Sequence, residues 1–326
     1  MIPFDGDFAQ QTVLPLVQTA YDPTFNAQMD GILAGMTNVE EILVDLTDPD
    51  FQKMLTKQGM SINSQLAVAK MRKPAAAPPA GTPDTTSLPT STAPPAAAAL
   101  DALPALDGSA ATVPVNDRFG WVCRQGTTLI VTFRGTQTAE DWLDNLDFIG
   151  EPYLPLPGRG TVHQGFQLIY YAVRKNLLNI VAQVSAGCTD LLVVGHSLGG
   201  AIATLAMPDL LNVLSNLNLS PVLYNMASPR AGHDDFQNFF DSHINVCYRI
   251  VNQWDVVPHL PPSLAGYVHV GNQVTIDSGF HINVVENHVL ATGYAPGIAT
   301  WIANHPVTQT WKMGAFAQSS LVGVSA

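Results

Sequence analysis

The chain has 326 residues, room for one large domain with additions, because a single core grows to roughly 250–300 residues before chains tend to split. Hydrophobic residues make up 47% of it and charged residues 12%, which excludes global disorder. The formal net charge of −12 repels polyanions, which argues against nucleic acid as a partner and gives a strongly anionic membrane little attraction.

The N-terminus, MIPFDGDFAQ, carries an acid where a secretory leader would carry Lys or Arg, and it lacks a continuous apolar stretch. No apolar run approaches the roughly 20 residues that span a bilayer, so no transmembrane segment is expected. A cytoplasmic location is the default expectation, and secretion after processing or without a leader is the alternative. Cys123, Cys188 and Cys247 lie far apart with no CxxC spacing, which argues against a zinc site and a disulfide framework and leaves one pair plus a free thiol open.

In residues 7–21, Phe8, Val13, Leu16, Val17 and Tyr21 fall near helical spacing despite Pro15, predicting a short, kinked amphipathic helix. MDGILAGM, NVEEILVDL and FQKMLTK read as further helical pieces, so 1–73 is expected to be an accessory helical region without chemistry of its own. Residues 74–116 are dominated by Ala, Pro, Thr and Ser, a composition that favours extended, solvated backbone and predicts a linker or disordered insertion.

From 117 to 326 the pattern changes to alternating strands and helices. FGWVCRQG and TTLIVTFRG read as neighbouring strands, and 166–184 has helical spacing. LLVVG is a buried strand running into the helix HSLGGAIATLAM, and PVLYNMAS and VCYRIVN add two more. Such alternation predicts an α/β fold with a mostly parallel central sheet and helices on both faces, its functional groups at the strands' carboxyl ends.

Gly195-His196-Ser197-Leu198-Gly199 is a G-x-S-x-G sequence that follows an apolar strand and opens a helix, the context of a nucleophile elbow. Only small flanking residues tolerate that strained turn, which accounts for Gly195, Gly199, Gly200 and Ala201. Ser197 is thereby presented at a helix N-terminus, where the backbone N–H of Leu198 can meet an oxyanion. Pro208 is expected to end or kink this helix about three turns in.

Several blocks stand in order along 117–295: VTFRGT at 131–136, DWLDNL at 141–146, VHQGF at 162–166, VVGHSLGGAIATL at 193–205, ASPRAG at 227–232 and WDVVPHLPP at 254–262. On these blocks the chain resembles the class 3 lipases, which include fungal triacylglycerol lipases and feruloyl esterases. The resemblance implies an α/β-hydrolase and a serine esterase acting on carboxylic esters of lipids through an acyl-enzyme. Phospholipase and soluble feruloyl-type esterase are the enzymatic alternatives, and a non-catalytic lipid-binding or interaction protein is the alternative from another class.

A serine hydroxyl needs a base, and the base an orienting acid. Asp255 lies just past the strand VCYRIVN and matches the family's acid. Among nine histidines, His288 in NHVLATGY resembles the family's C-terminal histidine, with His281 the rival. His163, His259 and His269 read as packing residues, and His196 is too close to Ser197 along the backbone to serve it. Thr136 matches the family's oxyanion loop and joins Leu198 as the second donor. Read as a helix, 138–149 places Trp142, Leu146 and Ile149 on one stripe, resembling the family's lid over a lipid or other ester substrate at a lipid–water interface. A permanently docked surface helix is the plain alternative. No histidine pair has metal-ligand spacing with acids on one helix face, so neither a catalytic metal nor a cofactor is expected.

Deleting residues 76–112 should change turnover and melting temperature little, because a long solvated loop adds little packing and shortening it alters closure entropy only slightly. Loss of folding on deletion would identify the tract as a structural element.

Overall fold

The computed structural model describes residues 4–21, 36–57, 118–136 and 148–305. The 74–116 tract and the expected lid residues Trp142 and Leu146 lie outside these segments.

Seven strands form the main sheet: β1 (Met36–Leu43), β2 (Arg118–Gln125), β3 (Thr128–Phe133), β4 (Asp190–His196), β5 (Ser220–Met226), β6 (Cys247–Asn252) and β7 (Asn272–Ile276). Their order in space is their order in the chain. β1, β2 and β3 pair antiparallel, and the pairings from β3 to β7 are all parallel, giving the expected mostly parallel sheet. Gly126, at φ 57°, makes the tight turn between β2 and β3.

Alternate strand residues serve opposite faces. Ile130, Leu192, Val194, Tyr224 and Ile250 meet a layer formed by the N-terminal helical segment and the C-terminal helix. The N-terminal segment runs through Gly6–Phe8, a π-helical turn Ala9–Val13 and α1 (Leu14–Tyr21). The π turn lies directly ahead of Pro15, whose missing N–H cannot join the regular ladder. Phe8, Val13, Leu16 and Val17 are buried from this segment, with Ile298 buried from the C-terminal helix. Beyond β1 comes α2 (Pro49–Lys57). The helices α3 (Gln164–Val184) and α4 (Leu198–Val213) pack on each other and on the sheet.

Two local expectations are corrected. NVEEILVDL is not helical: Met36–Leu43 is a strand paired antiparallel with β2, because the open edge of β2 offers hydrogen-bond partners that outweigh a weak local helix preference. Only Ile42 of that strand has a fully buried side chain. Of the two outcomes expected at Pro208, an end or a kink, the first does not occur: α4 continues to Val213. Asp209, the residue after it, is wholly buried and accepts hydrogen bonds from Tyr170 Oη at 2.6 Å and from Arg174 Nε and Nη2 at 2.6 and 2.9 Å. This carboxylate ties α3 to α4 at the point where proline interrupts the backbone ladder.

All three cysteines are buried and free. Among the described residues, no helix is long and apolar enough to cross a membrane.

Asp209→Ala should destabilise the fold by about 3–5 kcal/mol, since it strands Arg174 and the Tyr170 hydroxyl without their acceptor. Urea unfolding checks this: a lower midpoint at unchanged slope is expected, and an unchanged midpoint would remove the ion pair from the account.

Candidate active site

Register aligns the ends of three strands, with Gly195 of β4 opposite both Phe133 of β3 and Asn225 of β5. Whatever follows β3 and β4 is therefore held side by side. After β4, the chain turns through Ser197 at φ 56°, ψ −131°, directly into α4. This is a sparsely populated conformation for a residue with a side chain. Three residues close to it, Gly195, Gly199 and Gly200, have no room for a side chain. A Cβ at Gly195 would sit 2.3 Å from the Gly199 carbonyl oxygen, one at Gly199 2.5 Å from the Phe133 and Arg134 carbonyl oxygens, and one at Gly200 2.7 Å from Ser228 Cβ.

The turn puts Ser197 Oγ 2.8 Å from Nε2 of His288, and His288 Nδ1 lies 2.9 Å from Asp255 Oδ2. All three residues are buried. Asp255 stands beyond the end of β6, and the loop after β7 leads into the short helix α5 (Val284–His288), which ends on the histidine. With Nδ1–H donating to the carboxylate, Nε2 is left to accept the serine proton.

Asp255 and His288 are fixed by further buried bonds. Asp255 Oδ1 accepts from Val257 N–H at 3.0 Å, while Oδ2 also accepts from Tyr294 Oη at 2.7 Å. Burial and the adjacent Asp255 raise the Tyr294 phenol well above its ordinary range, so it remains a donor. Asn252 Nδ2 donates to the Asn287 carbonyl, and the Asn287 side chain bridges the N–H and carbonyl of His281. The base therefore sits on a loop stapled to β6.

Thr136 follows β3 beside the elbow, and its buried Oγ1 has no hydrogen-bond partner among the described residues. Leu198 is the first residue of α4, where backbone N–H groups have no intrahelical acceptor. Both adjoin the turn that carries Ser197, Thr136 through Gly135 and Leu198 directly. A cleft of about 410 Å³ opens there, lined by Gln18, Tyr21, Thr136, His196 and His288 and by the apolar stretch Val285, Val289, Leu290 and Ala291.

The residues brought together are thus Ser197, Asp255, His288, Thr136 and Leu198. Ile149 is not among those lining the cleft and is half-exposed beside Phe148. His281 faces Glu286 at 3.2 Å rather than the serine. His163 caps α3 by accepting from Phe166 N–H, and His269 Nε2 meets the Pro258 carbonyl at 2.7 Å.

Tyr21 and Tyr294 escape sequence reasoning. Each carries an ordinary core-like spacing, and their partners lie 175 and 39 residues away respectively. The one available signal for Tyr21 is its place at the C-terminal end of a helix with a continuous apolar face.

Comparison with known proteins places this geometry in context. Residues 130–265 match the class 3 lipases. The lipase of Rhizomucor miehei is 36% identical over 152 residues, which is 46% of this chain and 42% of that protein. A protein of Fusarium solani named secreted mono- and diacylglycerol lipase 1 is 35% identical over 156 residues, 46% of this chain and 44% of that protein. Phospholipase A1-II 1 of Oryza sativa subsp. indica is 30% identical over 172 residues, 46% of this chain and 43% of that protein. The chain therefore spans less than half the length of these relatives.

Ser197→Gly should be more stable than Ser197→Ala by about 1 kcal/mol, because both lose the hydroxyl and its bond to His288 while glycine alone adopts positive φ without strain. A melting temperature a few degrees higher for the glycine variant is expected; a lower one would show that the turn is not strained.

Proposed function

We propose, from the match of residues 130–265 to the class 3 lipases and from the hydrogen-bonded chain Ser197–His288–Asp255, that this protein is a serine hydrolase of lipid carboxylic esters. The observation that carries the reading is the 2.8 Å contact between a strained, buried serine and an imidazole whose other nitrogen is held by a buried carboxylate.

In this mechanism Ser197 Oγ attacks the ester carbonyl carbon and its proton passes to His288 Nε2. Asp255 orients the imidazole and stabilises the imidazolium. The Leu198 and Thr136 backbone N–H groups, with the Thr136 hydroxyl, receive the oxyanion, each donor contributing about 3–4 kcal/mol. His288 then protonates the leaving alcohol, and a water deprotonated by the same nitrogen attacks the acyl-serine and frees the acid.

The apolar stretch 285–291 suits an acyl chain, and none of the described lining residues is Lys or Arg, which favours a neutral glyceride over an anionic headgroup. Phospholipid hydrolysis is the second reading, supported by the rice relative's name. Trp142 and Leu146 act as a lid in this reading, their amphipathic pattern being its support, and 74–116 serves as a spacer on the strength of its composition. The Fusarium relative named as secreted favours export over the cytoplasmic default.

Ser197→Ala and His288→Ala should each lower kcat on a glyceride by several orders of magnitude with the fold retained, and His281→Ala should lower it less than threefold, since members of a triad act as a unit. Titration of released acid across chain-graded glycerides, phospholipids and feruloyl esters checks both variants and substrate. Near wild-type turnover in either of the first two would overturn the assignment.

A further inference from the structure

The N-terminal helix lies outside the family match, yet it reaches the reaction centre. Its last residue, Tyr21, has its hydroxyl oxygen 2.7 Å from Gly135 N and 2.7 Å from His196 Nδ1. His196 Nε2 in turn lies 2.9 Å from the carbonyl oxygen of His288. These contacts fix the protons. A carbonyl only accepts, so His196 carries its proton on Nε2, and Nδ1 must accept from Tyr21. The phenol oxygen then accepts from Gly135 N–H. Burial and the neighbouring His288 keep His196 neutral, and burial holds the Tyr21 phenol above its ordinary range, so neither group trades its proton away.

We propose that Tyr21 is a positioning residue of the active site, holding the Gly135–Thr136 loop against Ser197 and coupling it through His196 to the backbone of His288. The proposal rests on the serine-hydrolase reading above. One hydroxyl ties together three separately encoded pieces: the oxyanion loop after β3, the residue before the serine, and the base.

Gly135 shows how close the fit is. A Cβ there would stand 2.6 Å from Tyr21 Oη and 2.8 Å from Ser197 Cβ, so the loop is gripped between the tyrosine and the serine. The helix is a firm support. Thr19 donates to the Leu16 carbonyl and accepts from Trp121 Nε1 of β2, and Leu16, Val17 and Ala20 are buried in the core. Tyr21 also lines the cleft with Thr136, so loss of its hydroxyl leaves a buried amide and a buried imidazole nitrogen without partners beside the reacting ester.

Removing an oxyanion donor outright lowers kcat by roughly 100- to 1000-fold, and displacing one by a fraction of an ångström costs part of that. Tyr21→Phe should therefore lower kcat on a soluble short-chain ester about 10- to 100-fold with KM within twofold of wild type. Thr19→Ala loosens the same helix without touching this network; it should lower the melting temperature and leave kcat within about twofold. A Tyr21→Phe enzyme whose kcat is within twofold of wild type, or whose loss is all in KM, overturns the proposal while the serine-hydrolase reading stands. Equal kcat losses in Tyr21→Phe and Thr19→Ala would reduce Tyr21 to a helix anchor and also overturn it. A wild-type chain that hydrolyses none of the esters overturns both readings.

Discussion

The turn between β4 and α4 leaves no room for a side-chain atom at Gly195, Gly199 or Gly200: the Gly199 carbonyl closes on the first, the Phe133 and Arg134 carbonyls on the second and Ser228 on the third. Ser197 passes through this crowded turn at positive φ, with its Oγ 2.8 Å from His288 Nε2. The same crowding brings the carbonyls of Phe133 and Arg134 against α4, so the loop that follows them has to pass beside the serine. The Gly135–Thr136 loop and Ser197 are thus neighbours as a consequence of packing. The strain, of order 1–3 kcal/mol, is sustained by a parallel sheet whose strands β3, β4 and β5 are fully paired around the turn.

The second arm of the site is built differently. Asp255 and His288 come from the segments after β6 and β7, where a close backbone approach recurs at Gly293: a Cβ there would sit 2.2 Å from the Asn287 carbonyl oxygen. Buried side chains supply further rigidity: Asn252 and Asn287 bind backbone carbonyls, Tyr294 shares the Asp255 oxygen that receives the imidazole, and Val257 N–H donates to the other oxygen. In a buried environment each of these polar groups is costly if unpaired, so the network has few alternative arrangements. Tyr21 and His196 extend the same logic to the oxyanion side.

The sheet and the elbow were legible because their signals are local. Buried parallel strands such as LLVVG and VCYRIVN are continuous apolar runs, and the glycines around Ser197 report their own crowding. Strand β1 was not legible, since NVEEIL has no strict alternation and becomes a strand only because β2 presents an open edge. The choice between His288 and His281 rested on resemblance to relatives; in space it turns on Asn287, which holds the His281 backbone and leaves that ring beside Glu286. Tyr21 and Tyr294 were illegible for a simple reason. Each works through a single hydroxyl whose partners are distant in sequence, and no spacing rule marks such a contact.

The chain's central chemical claim is that Ser197 forms a covalent acyl intermediate under the control of His288. Mass spectrometry of the protein after reaction with an alkyl fluorophosphonate tests this most directly. The account predicts one phosphonyl group per chain, carried by the peptide containing Ser197, and no modification when His288 is replaced by Ala. Modification at another residue, or labelling of Ser197 that persists unchanged without His288, would contradict it.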